Sequence, residues 1–436
     1  MTRSPRSLAI ALCAGTVLLL SACGGGTLGG GAAASGGGNC PTDGTQGVTD
    51  TTITVGTSLP LSGPVAASGI GIRGGLQSYV DYVNSQGGVP GPDGKKRTLN
   101  LIAYDDAATP SRTKTNIDKL IGEDKVFSIV GLYGTANNLA VRTSVDQACM
   151  PSIWPLTGAP EIGNPQFPWQ GTGGLLLSYL AEGPALAKYL EDEFGTASVA
   201  ILAQNDDVGR SLSYGFDEAI KGTSITVAKS VTFETTTTDL TSQATTLAAT
   251  NADVFIYFGS GGTYQTQAFQ RVGETGWTPK LRYSANLAPA YIKPLPPELQ
   301  DGIYYHAPYQ DPDSTTPAVT LYRTWIDKMP EVTKQAGQAI PQAGWLQMQM
   351  AVETIEAAKT LTQQGLIDSA HHFTEQPGVP SMFREGITLK IDFPDYPYPV
   401  SSLSLTRWDA AAGKGTFIKV IDPAGPVKYV DVNAPR

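Results

Sequence analysis

Histidine is almost missing from this chain: His306, His371 and His372 are the only three in 436 residues, and cysteine occurs four times. Zinc asks for a set of Cys and His at ligand spacing, and the His371-His372 pair has neither a cysteine nor a third histidine nearby, so it reads as a solvated turn. No H-E-x-x-H, G-x-S-x-G or P-loop pattern occurs, which removes the usual signatures of metal-assisted, nucleophilic and phosphoryl chemistry. Positive charge is also short. Lys and Arg number 30 against 39 Asp and Glu, giving a formal charge of −9 with no clustered basic stretch. Phosphate binding needs such clusters, so nucleic acid is excluded as a partner. After residue 20 no apolar run is long enough to cross a bilayer. Gly69, Gly71 and Gly74 do spell G-x-G-x-x-G, but Thr57 to Ser68 separate them from the preceding strand. A dinucleotide site needs them in the turn directly after it, and no cofactor is implied.

What is present begins at the N-terminus. Arg3 and Arg6 precede an apolar run from Leu8 to Leu20, too short for a permanent span and closed by Leu20-Ser21-Ala22-Cys23. Charged start, apolar middle and small residues ahead of a cysteine make a signal peptide over 1–22. The last four residues resemble the lipobox of bacterial lipoproteins; the alternative is an ordinary secretory peptide with Cys23 incidental. The resemblance implies cleavage before Cys23, lipidation of its thiol, and a membrane anchor. Loss of Arg3 and Arg6 would take the charge from −9 to −11. Gly24 to Asn39 is nearly all Gly, Ala and Ser and can bury nothing, so 23–48 reads as a tether. Some 16 such residues reach roughly 20–25 Å. With Cys13 discarded and Cys23 acylated, Cys40 and Cys149 remain in an oxidising compartment, where a disulfide between them is expected; two buried free thiols are the alternative.

From Thr49 roughly 390 residues follow, more than one hydrophobic core usually supports. Short β-branched runs alternate with helical stretches: Ile53–Gly56, Leu99–Tyr104, Val126–Val130 and Pro151–Trp154 as strands, Gly71–Ser85, Pro110–Ile121 and Thr135–Gln147 as helices. The alternation restarts with a helix from Leu177 to Asp192 and strands at Ser198–Leu202, Ile225–Val231, Val254–Tyr257 and Leu281–Ser284. Ile303–Tyr305, a long helix Trp345–Gln363 and β-rich runs at Ser402–Trp408 and Phe417–Val420 complete it. The fold class is therefore α/β, two Rossmann-like lobes of mainly parallel sheet, with a ligand cleft at the strand ends.

Ile53-Thr54-Val55-Gly56, Pro60-Leu61-Ser62-Gly63-Pro64, Asn84 with Gly87-Gly88-Val89-Pro90-Gly91, Tyr104-Asp105-Asp106 and Ile129-Val130-Gly131 come in an order similar to that of type I periplasmic binding proteins. Pro155, Ala159-Pro160-Glu161 and Asp253 to Gly259 continue the match, which resembles the leucine/isoleucine/valine-binding branch over nearly the whole mature chain. The resemblance implies three inter-lobe crossings, placed near Gly173, Gly302 and Asp395. Lobe 1 would then be 49–173 with 303–395, and lobe 2 174–302 with 396–436. It also implies an extracytoplasmic, monomeric binding protein that closes over a small polar solute (amino-acid-like, carboxylate or amide) and delivers it to an ABC permease, without catalysis or metal. A receptor of the same fold feeding a signalling partner is the alternative.

Relatives hold the ligand carboxylate on loops that here supply Tyr133, Thr135 and Ala136, then Leu156, Thr157 and Gly158. Thr135 also opens a helix, where a hydroxyl and free amides suit an anion or carbonyl and where it could equally act as a cap. Where relatives place an acid against the substrate ammonium, the matching position holds Asn286, and a ligand-side aromatic is replaced by Ser68. Simple leucine or valine binding is thereby put in doubt, because an amide cannot neutralise a desolvated ammonium. Asp207 is a candidate for the missing charge, Ser260, Gly261 and Tyr264 for second-lobe contacts, and Trp345 and Tyr309 for walls.

Overall fold

The computed structural model describes residues 40–170, 175–286, 289–374, 381–387, 389–423 and 427–434. Cys23, the tether before Cys40 and the crossing expected at Gly173 lie outside them. Five strands form the first sheet: β1 (Thr52–Leu59), β2 (Val89–Pro90), β3 (Lys96–Asp105), β4 (Ser128–Val130) and β5 (Ser152–Ile153). Their order is β2-β3-β1-β4-β5, parallel except where β2 meets β3. Ile53 and Val55 of β1 are fully buried because helices cover both faces, which is why parallel strands read as apolar runs.

The second sheet has seven strands: β6 (Ala197–Gln204), β7 (Ile225–Phe233), β8 (Val254–Phe258), β9 (Leu281–Ser284), β10 (Ile303–His306), β11 (Leu403–Asp409) and β12 (Lys414–Ile421). The order β12-β11-β10-β9-β8-β6-β7 is parallel from β7 to β10, and β11 and β12 add an antiparallel margin. Residues 303–306, expected on the lobe 1 side, belong here, hydrogen-bonded between β9 and β11. A short apolar strand shows its type but not its neighbours, so the crossing set at Gly302 moves past His306.

Helix Ala66–Ser85 packs on helix Ala339–Ala357, and the G-x-G-x-x-G stretch is part of that contact. A Cβ at Gly75 would lie 1.9 Å from the Pro341 carbonyl oxygen, and one at Gly344 2.0 Å from that of Ile72. Gly75 and Gly344 let the two backbones touch, and within the motif a Cβ at Gly71 would lie 2.6 Å from Ile340 Cγ2 and one at Gly74 2.5 Å from Val332 Cγ1, so close packing rather than a phosphate fills that face. The long helix starts six residues before Trp345 and ends before Gln363, which opens the separate helix Gln363–His371. At its end His371 is no solvated turn: its ring stacks on Phe393 with centroids 4.4 Å apart, its Nε2 lies 2.8 Å from the Pro168 carbonyl oxygen, and burial pushes its pKa down to about 4.

Cys40 and Cys149 form a disulfide, with Cα atoms 5.7 Å apart. Among the described residues no helix is long and apolar enough to cross a membrane, and no group of three or more His, Cys, Asp or Glu is placed to hold a metal.

Candidate functional site

The carboxyl ends of β1, β4 and β5 in one lobe and of β8, β9 and β10 in the other border a single cleft of about 740 Å³. Parallel strands end with their loops on one side, so two such sheets facing each other make this opening without further design. The loop after β1 is tied down by Asp105, which accepts from the Leu61 amide at 2.9 Å and the Ser62 hydroxyl at 2.8 Å. Asp106 accepts from Ser58 at 2.8 Å and Thr113 at 3.1 Å. These two carboxylates hold the approach to Ser68.

Gly134, with φ of 87°, turns the chain after β4 into helix Thr135–Gln147, and no side chain caps that helix. The Thr135 hydroxyl, 4 % exposed, instead sits 2.7 Å from the Thr157 hydroxyl and lines the cleft. Thr157 lies behind it, and the Gly158 carbonyl accepts from the Tyr179 amide at 2.8 Å, joining the loop after β5 to the start of helix Tyr179–Phe194. Burial raises the Tyr179 pKa, and hydrogen bonding with Thr135, Gly158 and Thr157 opposes the shift. From the other lobe Asn286, in a left-handed conformation at φ 51°, donates its amide to the Gly259 carbonyl at 3.2 Å and to the Tyr179 hydroxyl at 3.4 Å. Asparagine tolerates that backbone region better than most residues. Thr157, Thr135, Tyr179 and Asn286 thus make a polar line across the floor.

At the mouth Ser68 Oγ and Tyr291 Oη are 2.9 Å apart, a hydrogen bond between lobes and across 223 positions of sequence. Half-buried Tyr133 stands beside them, its pKa pushed well above the usual tyrosine value by burial and by Tyr264 and Tyr291, against hydrogen bonding with Ser68. Ser260 and Gly261 also line the cleft. The Ser260 amide donates to Gln204 Oε1 at 3.0 Å, and a Cβ on Gly261 would come within 2.9 Å of the Asn286 carbonyl oxygen. The absent side chain therefore makes room for the Asn286 loop.

Several expected residues stand elsewhere. Ala136 is exposed on its helix and outside the lining, because it points away from the strand ends. Tyr264 is buried against Phe233, behind the wall. Asp207 pairs with Arg210 at the start of helix Asp207–Ala219, outside the lining, and Asp206 accepts from the Val208 and Gly209 amides as that helix's cap. Trp345, 1 % exposed, packs among Tyr79, Tyr82 and Tyr322 as core. Leu156 and Tyr309 do line the cleft.

Tyr179, Tyr291, Glu182, His306, Lys293 and Lys334 line it without having been singled out. Glu182 follows Tyr179 by three positions and so shares its helix face, the one signal that could have found it. Its carboxyl is 1 % exposed, accepts from the Tyr283 hydroxyl at 2.6 Å, and is pushed by burial to a pKa of about 7. The Ser404 amide donates to His306 Nδ1 at 3.0 Å, so the neutral ring carries its proton on Nε2; burial and then Arg384 hold its pKa down to about 3. This cleft can enclose a small molecule and hydrogen-bond it from both lobes, and no nucleophile and base pair is assembled among the described lining residues.

Comparison with known proteins agrees with that geometry. The family model described as "Periplasmic binding protein" matches residues 52–392. The Leu/Ile/Val-binding protein BraC3 of Rhizobium johnstonii is 27% identical over 210 residues, 48% of this chain and 54% of the relative. The chain thus spans about half the length of that curated relative. A branched chain amino acid ABC transporter structure from Thermus thermophilus with bound valine superposes with a TM-score of 0.72 at 16% identity, covering 86% of this chain and 97% of its own. A fatty acid ABC transporter substrate-binding protein from Thermomonospora curvata gives 0.68 at 19% identity, with coverages of 87% and 95%. These neighbours share the two-lobed fold, and these relatives are binding proteins of transporters rather than enzymes. With the match running through the whole first sheet and through β6 to β10 of the second, the chain belongs to the periplasmic binding protein family.

Proposed function

We propose that this chain is the extracytoplasmic solute-binding lipoprotein of an ABC importer, holding a small polar solute between closing lobes and delivering it to a permease. The observation that carries the reading is the polar line Thr157, Thr135, Tyr179 and Asn286, drawn from both lobes and spanned at the mouth by the Ser68–Tyr291 hydrogen bond. A solute touching both sides is held fully only when the lobes are together, which biases a hinge equilibrium toward the closed form. In this reading lobe 1 comprises 49–173 and 307–395, lobe 2 comprises 174–306 and 396–436, and the protein acts as a monomer. Cys23 is the lipid attachment and 23–48 the tether to the outer face of the cell membrane, pinned to the folded body at Cys40. Relatives of this fold are named for leucine, isoleucine and valine or for fatty acid, so fold alone does not choose the solute.

Cross-linking in intact membranes followed by affinity purification of the full chain tests the proposal. The expected result is co-recovery of a permease and ATPase pair, with incorporation of an alkyne fatty acid that Cys23→Ser abolishes. Recovery of a sensor kinase instead would replace import by signalling, and unmodified Cys23 would remove the anchor.

A further inference from the structure

The cleft offers little to a cation. Asp206 is engaged with two backbone amides and with Gln204, and Asp207 with Arg210. At the rim Asp311 pairs with Arg384 at 2.7 Å and Asp313 with Lys414 at 3.2 Å. Glu182 is the remaining acid among the described lining residues, and its carboxyl already accepts from Tyr283. Asn286 is a neutral amide with its NH₂ committed to Gly259 and Tyr179. An ammonium closed in among these groups would find a counter-charge only by taking the proton from Glu182, a buried carboxyl whose pKa burial raises to about 7, and removing a charge from water without one already in place is costly.

Cations, by contrast, are free. Lys293, just beyond helix Pro289–Ile292, and Lys334, in helix Pro330–Ala336, line the cleft from opposite lobes, both exposed and without an ion pair among the described residues. His306 adds an Nε2–H with no acceptor among the described residues. The charged lining residues are four cations (Lys293, Lys334, Arg384, Lys414) and three acids (Glu182, Asp311, Asp313), a net of +1 that becomes +2 when Glu182 is protonated. The whole chain is at −9, so the cleft is a positive opening in a negative surface and draws in anions. Its volume of about 740 Å³ lies well inside the span of roughly 300–1,000 Å³ typical for drug-sized ligands, and Ile72, Leu156, Leu176, Leu177, Ile340 and Trp408 supply apolar wall.

We infer that the solute is a monocarboxylate without an ammonium group, carrying an aliphatic or aryl-alkyl body of medium length. This rests on the reading of the cleft as a solute-binding site. The Thr135 hydroxyl meets the carboxylate, the apolar walls take the body, and the lysine pair speeds entry.

Calorimetry and stopped-flow binding on the full chain, with octanoate, 2-aminooctanoate, octanamide and leucine as probes, test it. Octanoate is expected to bind, 2-aminooctanoate about a hundredfold more weakly and octanamide about tenfold more weakly. The octanoate association rate should fall with added salt, and the Lys293→Ala, Lys334→Ala double variant should lower it about threefold at low ionic strength. Binding of 2-aminooctanoate within threefold of octanoate, or tighter binding of leucine, overturns the solute class and leaves a working receptor. An association rate untouched by the double variant overturns the role of the lysines. Failure of all four probes at millimolar concentration overturns the class and takes away support for the cleft as a binding site.

Discussion

Replacing Glu182 by glutamine isolates one buried proton. The carboxyl is 1 % exposed, has no cation beside it among the described residues, and accepts the Tyr283 hydroxyl at 2.6 Å. Burial lifts its pKa from 4.5 to about 7, with the tyrosine bond opposing the rise. Below about pH 4.5 the carboxyl is protonated in both folded and unfolded chains, and its contribution is complete. Between there and about pH 7 the unfolded chain ionises while the folded one keeps its proton, so stability falls as pH rises, by at most about 1.4 kcal/mol per pH unit. Above that range both forms are ionised, and the accumulated loss levels off at about 3 kcal/mol. Glutamine still accepts from Tyr283 but does not titrate. Thermal unfolding of Glu182→Gln and the parent across pH 4.5–8.5 should therefore show the variant gaining up to about pH 7 and then holding a constant advantage of roughly 5–10 °C for a cooperative lobe of 150–250 residues. A difference that stays flat over that range would mean the carboxyl is ionised in the folded protein at low pH, and the account of a dry, uncompensated acid would be wrong.

Three further outcomes are expected. Reducing the Cys40–Cys149 bond, which closes a loop with a sequence separation of 109, should cost about 5 kcal/mol by the chain-entropy model, read as a drop in denaturant midpoint with dithiothreitol; an unchanged midpoint refutes it. Thr135→Ala should weaken binding of a carboxylate solute by roughly 1.5–3 kcal/mol, the worth of a hydrogen bond to a charged group, while the ligand-free melting temperature moves by a few degrees. Unaltered affinity by calorimetry would put the carboxylate elsewhere. Tyr291→Phe removes the mouth hydrogen bond, worth about 1 kcal/mol, and should shift the open-to-closed ratio about fivefold, seen as a larger radius of gyration in small-angle scattering. An identical scattering curve would show that this bond does not hold the lobes.

The elements were legible wherever one physical signal ruled the segment. Leu281–Ser284 was read to the residue and Thr135–Gln147 likewise, since a strand buried on both faces and a helix between turn residues leave plain patterns. β1 runs past the expected Gly56 through polar Thr57 and Ser58; both are fully buried, and Ser58 donates to Asp106, just beyond the end of β3. The long helix starts at Ala339, ahead of the expected Trp345, and Pro341 stands in its first turn, where a proline's missing N–H has no partner to lose. Of the cleft, Thr135 was accessible as the residue that opens a helix, and Asn286 through the family resemblance. Tyr291 and Ser68 were not legible as partners, because a contact over 223 positions leaves no local trace. Glu182 was hidden for a related reason: its meaning lies in Tyr283 of another element and in the lack of a cation, neither of which a one-dimensional pattern holds.

The Cys40–Cys149 bond also changes what a single cut can do. A protease that nicks any loop between the two cysteines severs the backbone but not the molecule, since one fragment keeps Cys40, the other keeps Cys149, and the sulfur bridge still joins them. Everything upstream of Cys40 stays attached to the folded body after such a cut, and only cleavage before Cys40, or reduction as well, parts those residues from it.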